Sequence, residues 1–112
     1  MAILQLSPKL ESRLGINSQQ LVEFCQRWQI AELALFGSVL RSDFNSKSDI
    51  DMLISYLPTA KRGFFEKIQM QEELSSLLNR NVDLVSKNAI EKSHNWLRRK
   101  NILDSAQVIY VA

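Results

Sequence analysis

The chain has 112 residues, 46% of them hydrophobic and 23% charged, with a formal net charge of +2. That length suits one packed domain, 1–112, with no room for a separate recognition domain, so no direct nucleic-acid substrate is expected, and the small positive charge is only weak evidence for nucleic-acid binding. No apolar run approaches the length of a bilayer span and the N-terminus lacks the pattern of a signal peptide, so a cytoplasmic protein with no membrane partner is expected.

Residues 1–16 carry scattered apolar positions, with Pro8 placed to open a short helix. Asn17 and Gln20 resemble a capping box, and Leu21, Phe24, Cys25 and Trp28 recur at helical spacing, which predicts a helix from about Ser18 to Trp28 packed on a sheet. Trp28 on that stripe belongs to the core rather than to a stacked base. Cys25 is the only cysteine, which excludes an internal disulfide and a thiolate metal cluster. Its place on the apolar side predicts an inert core thiol. The single histidine, His94, stands among basic residues and reads as a surface imidazole.

The stretch from Leu33 to Ser55, LALFGSVLRSDFNSKSDIDMLIS, organises the chain. An apolar run ending at Phe36 turns sharply at Gly37 and Ser38, Arg41 follows, and a second apolar run contains Asp49 and Asp51. Alternation puts Asp49, Asp51, Leu53 and Ser55 on one strand face and Ile50, Met52 and Ile54 on the other. Pro58 ends that strand, and Lys61 to Leu78 reads as the longest helix, with Phe64, Ile68, Met70, Leu74, Leu77 and Leu78 as its apolar stripe. Phe65 falls off the stripe, as an ordinary exposed aromatic or as a contact for a ligand or partner. Val82 to Ser86 is a short strand with Asp83 at its middle. From Asn88 to Ala112 the pattern is helical in two pieces, a basic one with Arg98 and Arg99 and an apolar one with Ile102, Leu103, Ala106, Ile109 and Tyr110.

Gly37 allows close approach of the backbone to a ligand, and Ser38 is expected to begin a helix whose free N–H groups favour a phosphate. Arg41 can neutralise another phosphate oxygen. Asp49, Asp51 and Asp83 offer the hard oxygen ligands that Mg²⁺ takes while bridging to phosphates. Two carboxylates about 4 Å apart repel by on the order of 4 kcal/mol at an effective dielectric near 20, so the cluster calls for a divalent cation. Asp43, Asn45 and Lys47 do not make a calcium loop, because the loop glycine is absent and a lysine stands at a ligand position.

The segment GSVLRSDFNSKSDIDMLI resembles the signature of the DNA polymerase beta-like nucleotidyltransferase superfamily, and the short chain looks like a minimal nucleotidyltransferase, the kind found beside a HEPN-domain ribonuclease toxin. The resemblance implies an α+β fold, a small mixed β-sheet flanked by helices. It implies phosphate contacts at Gly37 and Ser38, the family arginine at Arg41, metal ligands at Asp49 and Asp51, and a third carboxylate near the acceptor hydroxyl at Asp83. Ser42 stands where many members have glycine. Two Mg²⁺ ions, ATP as substrate and a cognate HEPN-domain toxin as partner follow from it. The function implied is an antitoxin that transfers AMP to a toxin tyrosine and releases pyrophosphate. The alternatives are an antitoxin that acts by binding and masking alone, or nucleotidyl transfer to a small-molecule hydroxyl.

Overall fold

The computed structural model describes residues 2–112. The elements in order are β1 (Ile3–Leu4), α1 (Pro8–Leu14), α2 (Ser18–Arg27), β2 (Ile30–Phe36), a 3-10 turn (Gly37–Leu40), β3 (Ile50–Tyr56), α3 (Phe64–Leu78), β4 (Val82–Ser86), α4 (Lys87–Glu91), α5 (Trp96–Ser105) and β5 (Gln107–Val111). The expected α+β architecture is found, with the five strands in one mixed sheet ordered β1-β5-β2-β3-β4. Only β3 and β4 pair in parallel, because α3 carries the chain back along the sheet between them.

Each local rule is visible in the helices. Pro8 opens α1 behind a Ser7 cap, and Gly15 closes it in the left-handed conformation. Asn17 caps α2 by accepting from Gln19 N at 2.7 Å. Trp28 packs against the core while its Nε1 donates to Glu73 on α3. Cys25 is buried, and burial pushes its thiol up to about 12, so it stays neutral as expected for a core thiol.

Two apolar layers hold the sheet. Leu33 and Leu35 of β2, Ile50, Met52 and Ile54 of β3, and Val82 and Leu84 of β4 face the main core with Leu21, Phe24, Met70 and Leu74. The predicted alternation in β3 therefore holds, and Leu53 on the opposite face joins Ala34, Ile90 and Ile102 beneath α4 and α5. No helix among the described residues is long and apolar enough to cross a membrane.

Three expectations are corrected. The second half of the tail is a strand: Gln107–Val111 forms β5 between β1 and β2, with Ile109 and Tyr110 buried in the main core. The long helix begins at Phe64 rather than Lys61, because Gly63 in extended backbone is its cap. Phe64 is 79% exposed, so it does not belong to the buried stripe, which rests on Met70, Leu74 and Leu78.

Candidate active site

The site grows out of the β2–β3 hairpin. Phe36 ends β2 in extended backbone, and Gly37 then takes φ +77°, a left-handed value that side chains disfavour. A Cβ on Gly37 would also lie 2.5 Å from Asp51 Oδ2, so glycine is needed here for closeness as well as for the turn. Beyond it the structure has a single 3-10 turn, Gly37–Leu40, where an α-helix was expected at Ser38, and this removes the helix dipole from the phosphate argument. Ser38 Oγ donates to the carbonyl of Asp49 at 3.4 Å, which ties the turn to the start of β3.

Residues 41–49 form a loop held by two arginines that sequence reasoning missed. Arg13 Nη1 donates to the carbonyls of Val39 (2.7 Å) and Arg41 (2.6 Å), and Arg80 Nη1 donates to those of Asn45 (2.8 Å) and Ser48 (2.7 Å). Both guanidiniums lie over the Phe44 ring, at 5.1 and 4.5 Å from its centroid. Asn45 and Ser48 spend their polar groups within the loop, in bonds to Lys47 N and Asn45 N. Arg41 is exposed and pairs with Asp43 at 3.2 Å.

The carboxylates are set by register. Phe36 stands opposite Asp51 across the antiparallel β2–β3 pair, and Asp51 stands opposite Asp83 across the parallel β3–β4 pair. Ile50 N donates to the carbonyl of Asn81 at 2.9 Å, which starts that parallel ladder and fixes the match. Val82 and Leu84 enter the core, so Asp83 must project from the other face, and β4 is the sheet edge. Asp49 is exposed, one residue ahead of β3. Burial, then Asp83, then Asp49 raise the carboxyl pKa of Asp51 above its ordinary value, and Arg41 partly offsets them.

Asp51 and Asp83 open on a cleft of about 500 Å³ between the sheet and α5, lined also by Phe36, Asn95, Arg98 and Asn101. Asp49 lies outside that lining. Arg98, from the basic run of the tail, is exposed and also borders the cleft, a role that the sequence pattern does not mark, and its guanidinium has no hydrogen-bond or ion-pair partner among the described residues. Asn95 caps α5 at the cleft wall by accepting from Arg98 N at 3.1 Å, which sets the first turn of the helix there. His94 is exposed, as expected. Among the described residues no three acidic, histidine or cysteine side chains form a ready metal site. The donor chemistry nevertheless fits a hard divalent cation, since Asp49, Asp51 and Asp83 offer carboxylate oxygens and Asp51 is unfavourably charged beside the other two.

A mixed sheet that lines up a Gly-Ser turn with strand carboxylates defines a nucleotidyltransferase, and residues 18–109 match the Nucleotidyltransferase domain family, to which the chain belongs. More particularly, it is 32% identical over 93 residues to the protein adenylyltransferase MntA of Thermococcus cleftensis, covering 81% of this chain and 86% of that one. Its fold is similar to a solved structure provisionally described as a minimal nucleotidyltransferase, with a TM-score of 0.61, 26% identity, and coverage of 79% of this chain and 84% of that one. It also shares its fold with a chain from the complex of a tri-AMPylated Shewanella oneidensis HEPN toxin with an MNT antitoxin, at a TM-score of 0.55, 17% identity, and coverage of 88% of this chain and 70% of that one.

Proposed function

We propose that this chain is an antitoxin that transfers AMP, once or repeatedly, from ATP to a tyrosine hydroxyl of a cognate HEPN-domain toxin and releases pyrophosphate. The observation that carries this reading is the register row from Phe36 through Asp51 to Asp83, which sets two carboxylates in line beside the Gly37 turn, an arrangement suited to in-line transfer from a triphosphate to a hydroxyl. A relative named as a protein adenylyltransferase supports the coarser part of this reading, AMP transfer to a protein.

In this reading the Gly37–Ser38 turn receives the outer phosphates, with close approach allowed by the missing Cβ. Arg41 exchanges its exposed partner Asp43 for a phosphate oxygen. Asp49, Asp51 and Asp83 would hold two Mg²⁺ ions, which would supply the positive charge that offsets the carboxylates and the triphosphate. Asp83 accepts the proton of the attacking hydroxyl. Asn95, Arg98 and Asn101 offer polar contacts to the nucleoside in the cleft.

A masking antitoxin with a dispensable site is the second reading, favoured by the exposed apolar side chains Phe64, Phe65, Trp96 and Leu97. Intact-mass spectrometry of the HEPN partner, incubated with this chain, ATP and Mg²⁺, separates the two. AMP-sized mass gains that vanish in Asp51→Asn support transfer. An unmodified partner that Asp51→Asn still neutralises supports masking.

A further inference from the structure

The row that frames the cleft has an outer end. Phe36 opposes Asp51 and Asp51 opposes Asp83, so the line from the Gly37 turn crosses β2, β3 and β4 and stops at the sheet edge, about 10 Å in all at two strand spacings. Displacement at phosphorus puts the attacking and leaving oxygens on opposite sides. With pyrophosphate at Gly37 and Ser38 and phosphorus over Asp51, the attacking oxygen comes from beyond Asp83. At that edge, where β4 has no further strand beside it, a groove of about 260 Å³ borders Asp83 and is lined by Phe64, Lys67, Ile68 and Gln71 of α3. The α5 cleft is lined by both Asp51 and Asp83, so it lies beside the phosphorus rather than beyond it.

From this geometry we infer that the α3–β4 groove seats the acceptor, the phenol side chain of a tyrosine presented by the partner protein. The inference rests on the transfer reading above and adds the residues that select the acceptor. Phe64 and Ile68 are one helical turn apart and are 79% and 37% exposed, so they offer an uncovered apolar wall for an aromatic ring. Gln71 Oε1 accepts from Leu84 N at 2.9 Å, which leaves the amide N–H groups of Gln71 as the free end of that side chain. The Lys67 ammonium has no side-chain partner among the described residues. Both can donate to the phenolic oxygen as it gains negative charge. The phenolic proton passes to an Asp83 carboxylate oxygen, the phenolic oxygen bonds to the α-phosphorus, and the bridging P–O bond breaks with its electron pair leaving on pyrophosphate. An aliphatic hydroxyl would lack the ring that Phe64 and Ile68 are placed to pack against.

The test compares Phe64→Ala and Ile68→Ser with the wild type, using the HEPN partner as acceptor and calorimetry for ATP affinity. Ile3→Ala serves as the control, because Ile3 is also exposed, at 51%, but lies on β1, away from the groove and the cleft. The expected result is a fall of about tenfold in kcat/KM for the partner in both groove variants, with ATP affinity and melting midpoint unchanged and Ile3→Ala near wild type. Wild-type efficiency in both groove variants, or an equal loss in Ile3→Ala, overturns the seat and leaves the transfer reading standing. Wild-type protein that never modifies the partner overturns the transfer reading and the seat with it.

Discussion

Gly37 and Asp51 approach so closely that a methyl group on Gly37 would meet Asp51 Oδ2 at 2.5 Å, in a backbone conformation with φ +77°. Gly37→Ala should therefore displace the carboxylate and strain the turn together. The left-handed backbone alone costs an alanine about 1–2 kcal/mol. Denaturant titration should show a loss of at least that size, and the transfer rate should fall about tenfold or more, as for a displaced reacting group. An alanine variant with wild-type rate would mean that Asp51 tolerates movement.

Arg80 should matter to a site it does not enter. Its two carbonyl bonds, to Asn45 at 2.8 Å and Ser48 at 2.7 Å, and its contact with Phe44 hold the loop that leads into Asp49. Arg80→Ala is expected to cost about 1–3 kcal/mol, since one charged donor serves both bonds. Arg80→Lys should restore little, because an ammonium cannot reproduce a planar guanidinium that bonds and stacks at once. Hydrogen exchange should speed up across residues 43–50 in both variants. Unchanged exchange there would deny the clamp.

Asp51 predicts a pH effect whose sign follows from linkage. Its folded pKa lies above the ordinary 3.8, first because of burial and then because of Asp83 and Asp49. The folded protein thus binds that proton more tightly than the unfolded chain, so the contribution is fully present below the unfolded pKa and is lost as pH rises through the folded one. Melts in chelator from about pH 4 to about pH 7 should show Asp51→Asn gaining stability over the wild type as pH climbs. A constant difference across that range would remove Asp51 as the titrating group.

Arg41 and Arg99 form a matched contrast. Arg41 pairs with Asp43 on the surface, whereas Arg99 donates to the Ser93 carbonyl at 2.6 Å beside α5. Arg41→Ala should weaken ATP binding or slow transfer by about tenfold, and Arg99→Ala should do neither to that extent. Equal losses of ATP affinity would move the phosphate contact to the basic tail.

The parts of the fold that were legible in the sequence are those set by local pattern. Strand alternation placed Met52 and Asp51 on opposite faces, and Asn17 announced its helix. Strand β5 was misread because Ile102, Leu103, Ala106, Ile109 and Tyr110 satisfy helical spacing, and nothing local shows that 107–111 fills the gap between β1 and β2. The pairing of Asp51 with Asp83 needed the register of a parallel ladder, which depends on α3 as a whole. The Arg13–Phe44–Arg80 stack joins three distant segments, and the face of α5 that borders the cleft depends on how that helix docks. Such relations are tertiary, so composition and periodicity carry no trace of them.

In the proposed transfer, Asp49, Asp51 and Asp83 act on a nucleotide rather than on packing. The most direct measurement is intact-mass spectrometry of the HEPN partner after incubation with ATP, Mg²⁺ and either wild-type protein or the single Asp→Asn variants, with melting curves recorded beside it. The proposed transfer predicts AMP-sized additions with wild type, none with any of the three variants, and folded protein throughout. Full modification of the partner by Asp51→Asn would contradict it.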